Sequence, residues 1–196
     1  HILGQAAKPH SGTSPRNLTS TTFGDELVVA SANRSRVFAV SIKDRGAILL
    51  VGRTGKAFWY SRRTGRFVTS DYYYAQTPPW LEAFNAGDPA GAYREAAWTL
   101  SRGPGDYEFI EQDDQPWERD YRGLGRVFPH ELADTGDFYA ALRFTPFADE
   151  LTLADADPHA DLLGLVFRVD HENTLALRAQ DQGVARDGQH RARAGR

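Results

Sequence analysis

Arg36-Val-Phe-Ala-Val-Ser-Ile-Lys43-Asp44-Arg45-Gly46-Ala-Ile-Leu-Leu50 decides the fold class of this chain. From Val37 to Ile42 the run is almost wholly apolar, with two valines, an isoleucine and a phenylalanine. Such a run reads as a strand buried on both faces, as in a parallel sheet. It ends on Lys43-Asp44-Arg45; Gly46 then permits a tight turn, and Ala47 to Leu50 open the next helix. In open α/β sheets ligands sit beyond the carboxyl ends of the strands, so Lys43 and Arg45 stand where a ligand binds. Two apart in extended chain, they point the same way. A guanidinium offers a planar fork to two oxygens of a tetrahedral anion, and an ammonium offers a mobile point charge. A helix N-terminus after them adds N–H donors. That chemistry suits a phosphate or sulfate group, although a solvated loop can carry the same short motif.

Composition bounds the rest. The chain has 196 residues, 41% hydrophobic and 25% charged, which is globular and about one domain or part of one. A net charge of -3 and a pI near 6.1 supply no basic field for nucleic acid. No run approaches the roughly 18 apolar residues needed to cross a bilayer, so no membrane segment is expected. The absence of cysteine excludes disulfides and thiolate metal sites. No signal peptide is recognisable, and a chain that begins His1-Ile2-Leu3 and contains no methionine reads as a processed product or a fragment.

Around the central strand the elements follow an α/β order. Residues 1–13 read as a loop. Ser14-Pro15 gives an N-cap followed by a proline at the first helical position. Phe23, Leu27 and Ala30 recur at helical spacing, which predicts one helix over 15–32. Ala57 to Tyr60 and Phe67 to Ser70 flank a Thr64-Gly65 turn and predict a hairpin. Tyr72, Tyr73 and Tyr74 follow; such rings stack on bases or sugars, and more often fill a core. Trp80 to Phe84 and Pro89 to Leu100 read as short helices. Residues 101–136, rich in glycine, proline and acids, read as an irregular inserted lobe. Within it Asp113-Asp114 is a solvated turn rather than a metal site, and His130 is a structural histidine. Thr145-Pro146 opens a helix near Phe147. Asp155, Asp157, His159 and Asp161 offer oxygen and imidazole ligands in one short segment, with nothing else to support a metal there. Leu162 to Phe167 predicts a second buried strand, and Asp170-His171 follow its end. From Glu172 the apolar periodicity fades, and the arginine-rich tail reads as disordered.

Several of these stretches together resemble one family. They are Ser14-Pro-Arg-Asn-Leu18, Gly24-Asp-Glu-Leu27, Ser41-Ile-Lys-Asp-Arg-Gly-Ala-Ile48 and Ala57-Phe-Trp-Tyr60, followed by Thr64-Gly65 and Thr69-Ser-Asp-Tyr-Tyr73. Phe128-Pro-His130, Thr145-Pro-Phe147 and Asp161-Leu-Leu-Gly164 continue the series in the same order. The chain thereby resembles the zinc-dependent alkaline phosphatases of the PafA/PhoK type, with Lys43-Asp44-Arg45 the most diagnostic block. The resemblance implies part of a three-layer α/β/α fold in the superfamily that also holds type I phosphodiesterases and sulfatases. It implies two zinc ions and a threonine or serine nucleophile that forms a covalent phospho-enzyme. It makes a small phosphate ester the partner, and a periplasmic or secreted location the expectation. Carried over residue by residue, it makes Lys43 and Arg45 the contacts to the transferred phosphoryl group. Such a pair favours monoesters, which present one more anionic oxygen than diesters.

The same resemblance marks what departs from it. The family's nucleophile and first metal-binding aspartate lie upstream of the stretch at 14–18, where this chain offers thirteen residues. Its later aspartate and histidine ligands follow the strand matching 162–167. Here Asp170 arrives one residue early, and Thr174 stands where a histidine is needed, so Asp170 is the nearest metal-ligand candidate and His171 a weaker one. The expectation is therefore a partial domain over 1–167, with about 57–145 as insertion or cap and 168–196 as a divergent tail that a reading-frame shift would explain. As an isolated chain it is expected to lack turnover and stable zinc. Phosphodiesterase or sulfatase chemistry, or anion and carbohydrate binding without catalysis, are the alternatives.

Overall fold

The structure, a computed structural model, describes residues 1–6, 13–107, 113–156, 165–169 and 175–179. Strand β1, Phe38–Ser41, lies at the centre of a five-stranded sheet. Helix α2, Asp44–Val51, carries the chain from the carboxyl end of β1 to the start of β2, Lys56–Ser61, which pairs parallel with β1. A tight turn at Arg62–Gly65 returns the chain as β3, Arg66–Val68, antiparallel to β2, as the hairpin pattern predicts.

Beyond the hairpin come α3, Pro79–Ala86, and a two-stranded ribbon of β4, Ala97–Trp98, with β5, His130–Glu131. Helices α4, Phe138–Leu142, and α5, Phe147–Ala156, lead to β6, Leu165–Val169. Strand β6 pairs parallel with β1 on the side opposite β2, and β7, Leu175–Ala179, pairs antiparallel with β6. The order is β3-β2-β1-β6-β7.

Period-two alternation builds two cores from this one sheet. Val37, Ala39, Ala57, Trp59 and Val68 face one side, where Val28 of α1 (Phe23–Ala30) and Ala47, Ile48 and Val51 of α2 cover them. Val40, Ile42, Phe58, Tyr60 and Phe67 face the other, under Leu81 of α3, Ala141 and Leu142 of α4, and Ala148 and Leu151 of α5. Helices cover both faces, which is why β1 and β2 read as continuous apolar runs instead of alternating ones. The outer edge of β3 is also covered. Asn85 accepts from the Phe67 N–H at 2.9 Å and donates to the Phe67 carbonyl at 2.8 Å, standing in for a neighbouring strand.

Several sequence expectations are corrected. The single helix over 15–32 is a 3₁₀ turn at Pro15–Asn17 and a separate α1, because Thr22 caps a new helix through a capping box with Asp25. Phe23 is exposed, and Gly24, Asp25 and Val28 form the buried face of α1. Helix α2 begins at Asp44, so Gly46 serves inside a helix and not in a turn. Pro89 to Leu100 is a 3₁₀ turn at Gly91–Tyr93 and strand β4, not a helix. Strands β2 and β3 belong to the main sheet, which therefore reaches into the stretch assigned to the insertion. Leu175–Ala179 is strand β7, where the fading apolar periodicity predicts a disordered tail. The period-two placement of Leu175 and Leu177 was the available signal.

The aromatic run resolves as packing. The Tyr73 hydroxyl donates to the Gly52 carbonyl at 2.9 Å, Tyr74 lies 5.6 Å from the Phe58 ring, and Tyr72 packs edge-on to Tyr73. His130 is buried between Trp98 and Phe128, and its Nδ1–H donates to the Leu124 carbonyl at 2.8 Å. It is structural, as read from sequence. Asp113 accepts from the Phe128 N–H and Asp114 pairs with Arg126, so these two acids tie their segment to residues 126–128.

Candidate functional site

The carboxyl end of β1 fixes the candidate site, and a glycine shapes it. A Cβ at Gly46 would collide with the Ser41 side chain, so only glycine lets the first turn of α2 close onto the end of β1. Ser41 Oγ also accepts from the Lys43 N–H at 3.2 Å. Lys43 is thus the extended N-cap of α2 (φ −121°, ψ 137°), and Arg45 is in the first helical turn. The sequence predicts them two apart in extended chain. They nonetheless line the same cleft, because the helix turns back across the strand end.

That cleft has a volume of about 800 Å³. Ile42, Lys43, Asp44 and Arg45 come from the β1–α2 junction, and Trp59, Tyr60, Ser61, Arg62 and Arg63 from the end of β2 and the turn after it. Arg122 arrives from the connection between β4 and β5, Asp137 and Arg143 from the two ends of α4, and Ile2 and Gln5 from the N-terminal segment. Gln5 Nε2 donates to Ser61 Oγ at 2.7 Å, which anchors that segment across the opening. The charged lining is six cations, Lys43, Arg45, Arg62, Arg63, Arg122 and Arg143, against the two carboxylates Asp44 and Asp137. Neither acid forms an ion pair with these cations among the described residues. Asp44 instead accepts from the Arg45 N–H at 2.8 Å.

The helix N-terminus contributes fewer donors than expected from sequence. The N–H groups of Gly46 and Ala47 already bond to the Lys43 carbonyl at 3.0 and 3.4 Å, and the Arg45 N–H is taken by Asp44. An anion in this cleft is therefore met mainly by side chains. Two cations are held at some cost. Arg122 adopts a left-handed backbone (φ 65°), a strained conformation for a non-glycine residue of about 1–2 kcal/mol. Arg143 is half-buried, and its Nε is fully buried without a hydrogen-bond partner. Burial, followed by the charge of Arg62, pushes its pKa down; Arg122 adds to this, while Tyr121 and Asp44 oppose it.

Of the residues singled out from sequence, Lys43 and Arg45 are brought together in the cleft. Asp170 and His171 lie outside the described residues, as do Asp157, His159 and Asp161. The rule that points to Lys43, a charged residue just past a strand's carboxyl end, points equally to Arg62 and Arg63 after β2, which are not among the residues singled out above. Arg122 and Arg143 carry no such local mark.

The metal expectation fits poorly with these residues. Among the described residues no group of three or more His, Cys, Asp or Glu side chains is placed to hold a metal ion. The donor set of the cleft is cationic, and a dication would be repelled there.

Comparison with known proteins gives a consistent picture. No protein-family model matches the chain. Alkaline phosphatase PhoV of Synechococcus elongatus is 38% identical over 162 residues, 80% of this chain and 30% of that protein. Alkaline phosphatase PafA of Elizabethkingia meningoseptica is 36% identical over 154 residues, 76% of this chain and 28% of that protein. A relative in Myroides odoratus, 32% identical over 71% of this chain, bears the name calcium-transporting ATPase. The crystal structure of PafA superposes with a TM-score of 0.71 at 34% identity, over 83% of this chain and 32% of that one. A PafA variant of equal TM-score carries four substitutions, among them a lysine and an arginine two positions apart each changed to alanine. The chain spans about 30% of the length of the curated phosphatases it matches. Over the stretch that aligns, sequence and fold agree, and the chain belongs to the alkaline phosphatase family of the PafA and PhoV type.

Proposed function

We propose that this chain carries the phosphate-recognising edge of a phosphomonoester hydrolase, with Lys43 and Arg45 as the groups that hold the phosphoryl group. The observation that carries the reading is their joint placement in one cation-rich cleft at the carboxyl end of β1. The same lysine–arginine spacing is among the positions altered in the PafA variant.

The chemistry follows from the charges. In phosphoryl transfer the negative charge is spread over three equatorial oxygens, and positioned cations offset it. Arg45 supplies a fork that two oxygens can share, and Lys43 supplies a compact charge that follows a third. A monoester keeps one more anionic oxygen than a diester, so two cations at one phosphoryl group favour monoesters. The covalent phospho-enzyme, its threonine or serine nucleophile and the two zinc ions belong to residues outside this chain, and the cleft as described is given no metal step. The chain by itself binds phosphate and turns over no ester.

Calorimetric titration of the full chain with inorganic phosphate tests the binding role. Lys43→Ala and Arg45→Ala should each weaken binding about tenfold, a loss of about 1.4 kcal/mol. Unchanged affinity in both variants would remove the pair from the site. Zinc-dependent hydrolysis of p-nitrophenyl phosphate by this chain, lost in Lys43→Ala, would overturn the absence of turnover.

A further inference from the structure

We propose that Arg143, with Arg62 and Arg122, forms a second anion subsite in the same cleft, which takes a second phosphate group carried by the ester held at Lys43 and Arg45. The inference rests on the phosphate-binding role proposed for that pair. It names the substrate class as a phosphate ester bearing two phosphate groups.

Three observations converge on Arg143. Its Nε is buried with no hydrogen-bond partner, although buried donors are almost always paired. Its guanidinium carbon sits 5.4 Å from the Phe144 ring centre, so the ring faces the cation and supplies no acceptor oxygen. The charges felt most strongly at its head include those of Arg62 and Arg122, and the nearby carboxylate of Asp44 forms no ion pair with it. A guanidinium stays charged in a protein. Three like charges gathered around a buried unsatisfied donor repel one another, and an anion bound among them adds attractions that offset that repulsion.

The elements that bring these cations together differ from those that hold the first pair. Arg62 follows β2, Arg122 comes from the connection between β4 and β5 at φ 65°, and Arg143 caps the carboxyl end of α4. Lys43 and Arg45 come from the β1–α2 junction. The cleft volume of about 800 Å³ is in the range that holds a whole small-molecule ligand, far more than one phosphate group needs. A phosphate carries up to two charges and three acceptor oxygens, matching several guanidinium forks better than a single-charge group does.

The test compares glucose 1,6-bisphosphate with glucose 6-phosphate by calorimetry on the full chain, and reads the ratio of the two affinities. The bisphosphate should bind tenfold or more tighter in the unaltered chain. Arg143→Gln should reduce that ratio to near one. Arg62→Gln, at an exposed position, should reduce it severalfold and guards against a folding defect at Arg143. Lys43→Ala should weaken both ligands. Equal affinities in the unaltered chain would overturn the second subsite, as would a ratio unmoved by both arginine changes. A ratio that responds to Arg143→Gln while Lys43→Ala changes nothing would keep the second subsite and remove the first. Absence of binding by either ligand would overturn both.

Discussion

Asp25 and Arg143 are charged groups at opposite ends of the same sheet, and their surroundings differ in kind. Asp25 sits beyond the amino end of β2, where α1 meets the turn that closes α2. Its Oδ1 accepts from the Arg53 and Thr54 N–H groups, each at 2.9 Å, and from the Thr54 hydroxyl at 2.7 Å. Its Oδ2 accepts from the Thr22 N–H at 3.1 Å and the Thr22 hydroxyl at 3.2 Å. Burial raises its pKa, but the hydrogen bonds led by Thr54 outweigh that and hold it below the ordinary carboxylate value. Arg143, at the carboxyl end, has a buried Nε that bonds to nothing in the protein. Both groups are removed in part from water, and only one is satisfied. A saturated charge locks the elements around it, whereas an unsaturated one in a cleft keeps its hydrogen-bonding capacity for a ligand. With the cleft read as proposed, the amino edge of this sheet serves stability and the carboxyl edge recognition.

The contrast can be broken at its strongest point first. Asp25→Ala leaves up to five donors without an acceptor, three of them backbone N–H groups, and should cost on the order of 4 kcal/mol. Urea denaturation reads this directly, and a loss below about 1 kcal/mol would mean that water already serves the hub. Gly52→Ala should come next, at about 2–3 kcal/mol. Gly52 has φ 62°, and a Cβ there would run into the Asp25 carboxylate and the Thr22 hydroxyl.

Acid offers a finer probe of the same hub. With its folded pKa depressed, Asp25 contributes stability that is complete above its unfolded value of about 3.9 and is lost as pH falls through the lower folded value. Urea midpoints followed from pH 6 to pH 2 should therefore fall below about pH 4, and Asp25→Asn should flatten part of that decline. A variant with the same acid limb as the unaltered chain would place the titration elsewhere. The smallest effect should have the opposite sign. Arg143→Met removes an unsatisfied cation from among like charges, and in the absence of ligand it should be neutral or stabilising by up to about 1 kcal/mol. Destabilisation by more than about 1 kcal/mol would make Arg143 a structural residue and erase the contrast with Asp25.

Local patterns carried much of the fold. Val37 to Ile42 announced a strand buried on both faces, and the structure covers both faces of β1. The hairpin around Thr64-Gly65 was equally plain, because turn residues and apolar runs are adjacent in sequence. Helix boundaries were less legible. Thr22 and Asp25 form a capping box that restarts the chain as α1, and a helical spacing at Phe23, Leu27 and Ala30 concealed it. In the site, Lys43 and Arg45 were visible because strand, charge and glycine are contiguous. Arg62 and Arg63 obey the same rule, one strand over. Arg122 and Arg143 were not visible, since each lies in a segment with its own local explanation.

The sequence by itself determined the α/β class, the central strand, the cation pair at its carboxyl end and the family the chain belongs to. These depend on residues within a few positions of each other, where periodicity and turn chemistry act. Tertiary structure decided which side of β1 receives β6, that residues 175–179 form a strand, and that Asp25 closes a loop some 28 residues away. It also decided that arginines from the β2 end, the β4–β5 connection and α4 share one cleft with Lys43 and Arg45. Coulomb and hydrogen-bond energies depend on distance in space, and no spacing along the chain encodes a distance between segments that meet only after the sheet and its helices have packed.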